Sequence, residues 1–498
     1  MNRLGHRDLL LTLKYSTIEA CFSVPMLNLT MPSFAFVIAF AVSVLGWPPE
    51  AIGLAAALPH LCNFIQPAIT AALQRVFSLH QVMCLSFIFS ALPWGLVSLL
   101  PWLKPAQQGL FFGGLLLVAT LSNSIGSVSW SAAIAEVVPE RLSGKYFGRR
   151  NLLFGTWTLL VVLFAGYMAD RGGKTLITFG WIFAAAGASR LLGLFFLMRM
   201  KFPASVMTRT SRALNLDDLK AVFRDSNYLW FIVFIGLWGM LLNMGMPFYT
   251  MFLMDGLGFS VSDVVKLTTV GSLGGILTLK AWGLLSDRFG SKPVLIVAAT
   301  AWSLVALAAW SLAGPTWRLH LYASYLIVGG TTAGLQLCQF NLMVKLVPAA
   351  RRAAYVSTFF ALTSLLTALG PALGGWLLGR LPDHLGVFLG QPIRDYHVVF
   401  GLSLLGCLFI TNVLHRVREP AEQPVGAVWR TMRTMRSFNP MLALATMGEL
   451  LITPNGLIGL ARRSVRTVKR QVKVLSDVGE ELVEGGQDVL KAPFERRD

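Results

Sequence analysis

Two copies of one short pattern place an asparagine and a proline four residues apart inside long apolar runs. Asn28 precedes Pro32, and Asn243 precedes Pro247; a methionine stands directly before each proline. An asparagine amide donates and accepts hydrogen bonds without carrying charge, and a proline removes a backbone N–H that a helix needs. The pattern therefore predicts two kinked helices, each of which presents an amide to a binding cavity.

Two further apolar runs carry neutral polar side chains at near i, i+4, i+7 spacing, which puts each set on one helix face. The sets are Asn123, Ser127 and Trp130, and Thr332, Gln336 and Gln339. Such groups can bind a solute, but amides and hydroxyls also hydrogen-bond one membrane helix to another. Both interpretations stay open for each residue, while the set as a whole favours a solute site.

Ionisable side chains inside apolar runs are costly to bury, so they mark functional or structural sites. Arg190 precedes Arg199 by nine residues, which is about 13 Å along a helix; it has either a functional role or a structural partner. Glu136 ends its run, and Glu19 is interpreted as reaching back to the nearby interface. His60 could titrate near neutral pH, although bonding between helices is the commoner role for such a residue.

The composition indicates which kind of secondary structure carries these residues. Of the 498 residues, 55% are hydrophobic and 13% are charged, against about 25% charged in soluble domains. A helical bundle satisfies the backbone hydrogen bonds that lipid cannot. The net charge of +18 arises from alternate loops and the tail, so it indicates topology and not nucleic-acid binding. The residue spacings predict no enzyme, cofactor or metal site.

Twelve apolar runs are long enough to cross a bilayer as helices, which takes about 20 residues each. They fall at about 16–45, 52–73, 80–103, 107–135, 149–170, 175–198, 227–253, 262–285, 291–314, 318–346, 352–380 and 396–415. An even number places both termini on one side of the membrane. Loops on that side carry about three times as many Lys and Arg residues as the opposite loops, which predicts that both termini are cytoplasmic.

A polar break divides the runs six and six. Repeats between the two sets, including the paired Asn-x-x-Met-Pro pattern, indicate duplicated halves. We predict a first half at 1–200, a linker at 201–226, a second half at 227–418 and a basic cytoplasmic tail at 419–498. Apolar residues at helical spacing among basic ones at 461–475 predict a helix on anionic lipid, or equally one packed on the bundle or a partner.

A charged loop joins the eighth and ninth runs. Its pattern positions are Gly283, Leu285, Asp287, Arg288, Gly290 and Lys292. The corresponding first-half loop, from Ala71 to His80, has Arg75 in place of the aspartate and lacks both glycines. Together with twelve runs in two repeated halves, the loop resembles the signature of the major facilitator superfamily of transporters, over residues 14–418.

That resemblance implies an all-α polytopic fold in which spans one, four, seven and ten surround a central cavity. The implied lining includes Asn28, Asn123, Trp130, Asn243, Gln336 and Gln339. In the superfamily the loop after the eighth span latches the cytoplasmic gate in one conformer, so Asp287 and Arg288 are predicted gate residues. The two halves are expected to rock around the central site in alternating access.

The resulting expectation is a monomeric secondary transporter or facilitator of the cytoplasmic membrane, acting on an uncharged or zwitterionic amphipathic organic solute. An anionic head group at Arg190 is the alternative solute chemistry. No acidic residue lies mid-membrane among the four cavity spans, so proton or sodium coupling has no support in the sequence. The alternative from another class is a non-transporting membrane scaffold that works through its tail, which the altered loop at Arg75 keeps open.

Overall fold

The fold is described from a computed structural model of the chain. The described residues are 5–208, 216–311, 318–348, 351–388, 391–420 and 422–435. The tail helix predicted at 461–475 lies outside them. The chain divides into a compact unit, Met1–Trp429, and a second unit, Arg430–Asp498, of which residues 430–435 are described.

Helices account for nearly all of the described chain. In order they are α1 (His6–Leu29), α2 (Ala35–Ser43), α3 (Pro49–Gln74), α4 (Leu79–Leu96), α5 (Pro105–Val137), α6 (Glu140–Arg171), α7 (Leu176–Met198), α8 (Ala204–Met207), α9 (Leu216–Arg224), α10 (Ser226–Met251), α11 (Val261–Phe289), α12 (Ser291–Ser311), α13 (Arg318–Leu346), α14 (Arg352–Leu378), α15 (Asp395–Thr411) and α16 (Val425–Thr434). A two-stranded antiparallel hairpin, β1 (Gly386–Phe388) and β2 (Gln391–Ile393), joins α14 to α15.

Within the described residues, ten helical segments are long and apolar enough to cross a membrane. They correspond to ten of the twelve predicted spans. The other two are the interrupted pair α1–α2 and helix α13, which carries the hydroxyls and amides from Thr331 to Asn341 along its length. The polar side chains that made these runs candidate sites also lower their hydropathy.

The long helices pack as two groups. In the first half, α1 packs on α6 and α7, and α4 packs on α5 and α7. In the second half, α10 packs on α14 and α15, and α12 packs on α13 and α15. Because each crossing reverses the chain, α1 begins and α15 ends at one end of the bundle, here called the proximal end; the opposite end is the distal end.

Candidate functional site

The two proline-containing helices differ in the structure. Pro32 lies in a break between α1 and α2, and Asn28 is the penultimate residue of α1. Pro247 lies inside the continuous helix α10, which passes into a π-helical turn at Phe252–Gly256. Each proline lacks the N–H that would bind the carbonyl four residues earlier, which is the carbonyl of Asn28 or Asn243. Both asparagines therefore sit where the backbone is weakened.

A cavity of about 790 Å³ lies between the halves. Five of the eight predicted cavity residues line it: Asn28, Asn243, Thr332, Gln336 and Gln339. The amide nitrogen of Asn28 donates to the carbonyl of Val24 at 2.9 Å and to Oγ1 of Thr158 at 3.4 Å. The amide nitrogen of Asn243 donates to the carbonyl of Gly239 at 2.8 Å.

The three predicted residues of α5 do not line this cavity, so their assignment to it is wrong for this structure. Asn123 borders a separate small space beside the α1–α2 break. Trp130 packs beneath the guanidinium of Arg150, whose Cζ lies 4.3 Å from the ring centroid, and Ser127 is exposed. Helix α5 packs inside the first half on α3 and α4, and α6 supplies the lining instead, through Thr158, Leu159 and Val162.

An aromatic wall, which the sequence analysis did not identify, forms much of the second-half side of the cavity. Its members are Trp238, Tyr249, Trp302, Trp310 and Tyr325. Tyr249 and Trp310 stack with centroids 4.3 Å apart and an interplanar angle of 6°. Trp238 meets Trp302 edge to face at 5.7 Å, and Nε1 of Trp302 donates to Oγ1 of Thr332 at 3.0 Å. The only available signal was the abundance of aromatics in these runs, which does not tell which face they occupy.

No aspartate, glutamate, lysine or arginine is among the described residues that line the cavity. His60, half-buried on α3, is the one lining imidazole. His60 of the first half and Asn243 of the second half both line the cavity. The described lining thus combines aromatic faces with neutral donors and acceptors and carries no fixed charge.

The intramembrane charges form a separate cluster inside the first half. Arg190, with its side chain 5% exposed, donates to Oε1 of Glu19 at 2.7 Å and also to the hydroxyl of Ser23. Nη2 of Arg150 lies 3.8 Å from Oε2 of Glu19. Glu19 is buried and does not reach the interface, so that interpretation was wrong; a buried arginine partner stabilises it instead. Glu136 is exposed near the proximal end of α5.

The predicted gate loop lies at the proximal end. Gly283 lies against Leu337 of α13, and Gly290 ends α11 with φ of +96°, a conformation that glycine favours. Asp287 and Arg288 are both exposed on the last turn of α11. Their role as a latch therefore remains a prediction about another conformer.

Lys292 is buried, and its partner is a segment that the sequence analysis assigned to the tail. Nζ of Lys292 lies 2.8 Å from Oε1 of Glu422. Glu419, with its side chain 1% exposed, accepts the backbone N–H groups of Ser291 at 3.0 Å and Lys292 at 2.7 Å. It also pairs with Nζ of Lys345 at 2.8 Å. One carboxylate therefore caps the start of α12 and fixes the loop to the segment after α15.

At the distal end, the halves are in direct contact. Asp170, near the end of α6, accepts the backbone N–H groups of Val261 at 3.0 Å and Ser262 at 3.1 Å through its two oxygens. These N–H groups belong to the first turn of α11, where the helix dipole favours an anion. A side chain at Gly53 would collide with the carbonyl oxygen of Pro371, so α3 and α14 meet backbone to backbone. These contacts join the two halves at the distal end.

Two helical groups around a solute-sized cavity define a polytopic membrane transporter. The profile of the Major Facilitator Superfamily matches residues 20–279 and 239–461, and the chain belongs to that family. This confirms the predicted resemblance and the all-α polytopic fold. Members of the family are, in general, carriers and not enzymes.

Solved structures agree on the fold. A D323A mutant of the nucleoside transporter NupG is similar with a TM-score of 0.64 and 13% identity, over 83% of this chain and all of that one. A bacterial homologue of the iron transporter ferroportin in an inward-facing state has a TM-score of 0.61 and 14% identity, over 83% and 99%. The xylose transporter XylE from E. coli, in an inward open conformation, has a TM-score of 0.60 and 14% identity, over 84% and 99%. No curated protein matches the sequence.

Proposed function

We propose that this protein transports an uncharged organic solute by alternating access, and that the solute carries a ring and several hydrogen-bonding groups. The observation that carries the proposal is the cavity of about 790 Å³ between the halves. A volume of this size is typical of sites for small molecules. The nucleoside and xylose transporters named above have this fold, which supports a solute of this general kind.

The cavity chemistry supports a neutral solute. Its described lining offers amides from Asn28, Asn243, Gln336 and Gln339 together with hydroxyls, and no fixed charge. An ion entering such a site would lose hydration without gaining a counter-charge, which costs several kcal/mol. Arg190 does not offer an anion site here, because Glu19 already pairs with it at 2.7 Å inside the first half.

The aromatic wall supports a ring. Sugar and heterocyclic rings have flat apolar faces that pack on aromatic side chains, while their edges hydrogen-bond. Trp238, Trp302 and Trp310 supply such faces, and Thr332 and the amides of Gln336 and Gln339 lie beside them on α13. The arrangement suits a molecule of about one or two rings with polar edges.

The described conformer supports a rocking mechanism. Asp170 and the α3–α14 contact join the halves at the distal end, which supports a cavity closed at that end. With cytoplasmic termini, as the loop charges predict, this conformer would face inward. Transport would then require the distal contacts to separate while the proximal ends of the halves, with the loop at Asp287, come together.

A binding and counterflow experiment tests the proposal. Purified protein would be screened by equilibrium binding against labelled uridine, adenosine, D-xylose and D-ribose, and then reconstituted for counterflow of any solute that binds. We expect Asn243→Ala to weaken binding by about tenfold, as for the loss of one hydrogen bond of about 1.4 kcal/mol. The matched control is Ser127→Ala, which alters an exposed residue outside the cavity.

Equal binding by the Asn243 variant and the wild type would remove Asn243 from the site. Absence of binding and counterflow for every member of the panel would overturn the proposal that the solute is uncharged and carries a ring. In that case the scaffold interpretation would gain support.

A further inference from the structure

The charged cluster inside the first half contains two positive charges and one negative charge. Arg190 and Arg150 share the carboxylate of Glu19, at 2.7 Å and 3.8 Å. Their side chains are 5% and 13% exposed, and neither forms another ion pair within the described residues. A buried charge without a counter-charge is strongly unfavourable. The closer pair of Arg190 and Glu19 leaves Arg150 as the guanidinium that an additional anion would stabilise.

Buried hydrogen-bond donors near Arg150 have no partner among the described residues. They are Nε of Arg150 itself, Nε1 of Trp130 and the hydroxyls of Ser16 and Tyr146. The guanidinium and indole N–H groups can only donate, and each hydroxyl can donate as well. Ser16 is 0% exposed, so bulk solvent does not satisfy its hydroxyl. These groups together require an acceptor, and beside an excess positive charge the fitting acceptor is an anion.

The helix register brings the donors to one level of the first half. Ser16 precedes Glu19 by three residues on α1, and Tyr146 precedes Arg150 by four on α6, so each pair shares a helix face. The two helices pack on each other and both begin at the proximal end. Because Arg150 approaches Glu19, both hydroxyls lie about one helical turn, or about 5.4 Å, closer to the proximal end than this ion pair.

Trp130 contributes a donor from a third helix, α5. The guanidinium of Arg150 covers the face of its ring, with Cζ 4.3 Å from the centroid. The indole N–H lies on the edge of the ring, which is the electropositive part of an aromatic system. The face of Trp130 is therefore used by a cation, and its edge is suited to an anion.

We propose that the first half binds a monovalent inorganic anion of the chloride type beside Arg150, and that this anion stabilises the packing of α1, α5 and α6. It accepts from Nε of Arg150, Nε1 of Trp130 and the hydroxyls of Ser16 and Tyr146. One negative charge balances the excess positive charge of the cluster, whereas a doubly charged oxyanion would leave an excess negative charge. None of these four residues lines the described cavity, so the anion is a bound component of the first half and not the transported solute.

Thermal unfolding of the purified full-length protein tests the site with chloride as the probe. Chloride would replace gluconate at constant ionic strength, since a ligand that binds the folded state raises the unfolding temperature. We expect the unfolding temperature of the wild type to rise with chloride concentration and then to level off. An unfolding temperature that is the same in chloride and gluconate would contradict the proposal.

Tyr146→Phe removes one proposed donor and keeps the aromatic ring. The chloride concentration at half-maximal stabilisation should rise about tenfold, as for the loss of one hydrogen bond to a charged group. The matched control is Tyr167→Phe, the same substitution on the same helix at a position that is 50% exposed; it should behave like the wild type. Equal half-maximal concentrations in all three proteins would count against the site.

Arg150→Gln removes the excess charge and keeps the pair of Arg190 and Glu19. Stabilisation by chloride should therefore disappear in this variant, and Tyr146→Phe remains the test if the variant does not fold. The same chloride dependence in Arg150→Gln and in the wild type would indicate an adventitious ion only and would overturn the proposal. Stronger stabilisation by phosphate than by chloride, lost in Arg150→Gln, would overturn the assignment to a monovalent anion. Neither experiment contains a solute, so failure of the proposed transport function would leave these results unchanged.

Discussion

At the scale of single residues, the buried pair of Arg190 and Glu19 is the strongest local constraint in the first half. Both side chains are at most 5% exposed, and their atoms lie 2.7 Å apart. Arg150 approaches the same carboxylate, so one negative charge is shared by two guanidiniums. Removing that carboxylate would leave both guanidiniums without a counter-charge.

We therefore expect Glu19→Gln to destabilise the protein by about 3–5 kcal/mol, as is usual when one partner of a buried ion pair is removed. Glu136→Gln, at an exposed position, should change stability by no more than about 0.5 kcal/mol. Thermal unfolding of the two variants in the same detergent measures the difference. Equal unfolding temperatures would show that Glu19 does not hold the arginines in place.

Residue types alone could not separate the two uses of polar groups. Asn28 and Asn243 were found because a proline followed each of them in both halves. Asn123 had the same chemistry and a comparable helical spacing, yet its helix packs within the first half. A solute site and a contact between helices require the same neutral donors and acceptors, so the assignment depends on helix packing that a single chain does not reveal.

At the scale of elements, the segment after α15 acts as a clamp on the loop between α11 and α12. Glu419 accepts two backbone N–H groups at the start of α12 and pairs with Lys345 of α13. The clamp therefore joins three elements through one buried carboxylate. The predicted domain boundary at 418 fell at this point because the apolar run ends there, and hydropathy carries no information about a capping carboxylate.

Glu419→Gln should lower stability by about 1.5–3 kcal/mol, the usual worth of hydrogen bonds to a charged group. Asp217→Asn is the control, because Asp217 and its partner Lys220 are 80% and 67% exposed and such pairs contribute about 0–1 kcal/mol. Thermal unfolding of both variants, with hydrogen exchange of the first turn of α12, measures the effect. Unchanged exchange in the Glu419 variant would contradict the capping role.

At the scale of the whole molecule, the described conformer is held by contacts between the halves at the distal end. Asp170 reaches from α6 to the first turn of α11, and α3 meets α14 closely at Gly53. The twelve spans and the fold could be predicted, because the lengths of the apolar runs and the repeats between the two halves can be read from the sequence. Which end is closed could not be predicted, because closure depends on how the surfaces of the two halves pair, and neither surface determines it alone.

Asp170→Ala should shift the molecule toward the distal-open conformer by about threefold to tenfold, because two hydrogen bonds and a favourable charge at a helix start are lost. Asp263→Ala is the control: Asp263 accepts the Ser260 backbone N–H at 3.4 Å within the same helix start, so its loss affects α11 without crossing between halves. Distances between spin labels at Leu110→Cys and Leu319→Cys, exposed positions near the distal ends of α5 and α13, measure the shift. An equal shift in both variants would show that Asp170 acts on the helix alone.

The cavity is not shared equally, since all five aromatic wall residues and most of the other lining residues belong to α10–α14. A solute bound on this wall would stay docked to the second half throughout the cycle. The first half would then move relative to a solute site that is fixed on the second half. This movement would expose the site to one compartment and then to the other. Changes in α10–α14 should accordingly alter which solute is carried, whereas changes in the first half should alter how fast it is delivered.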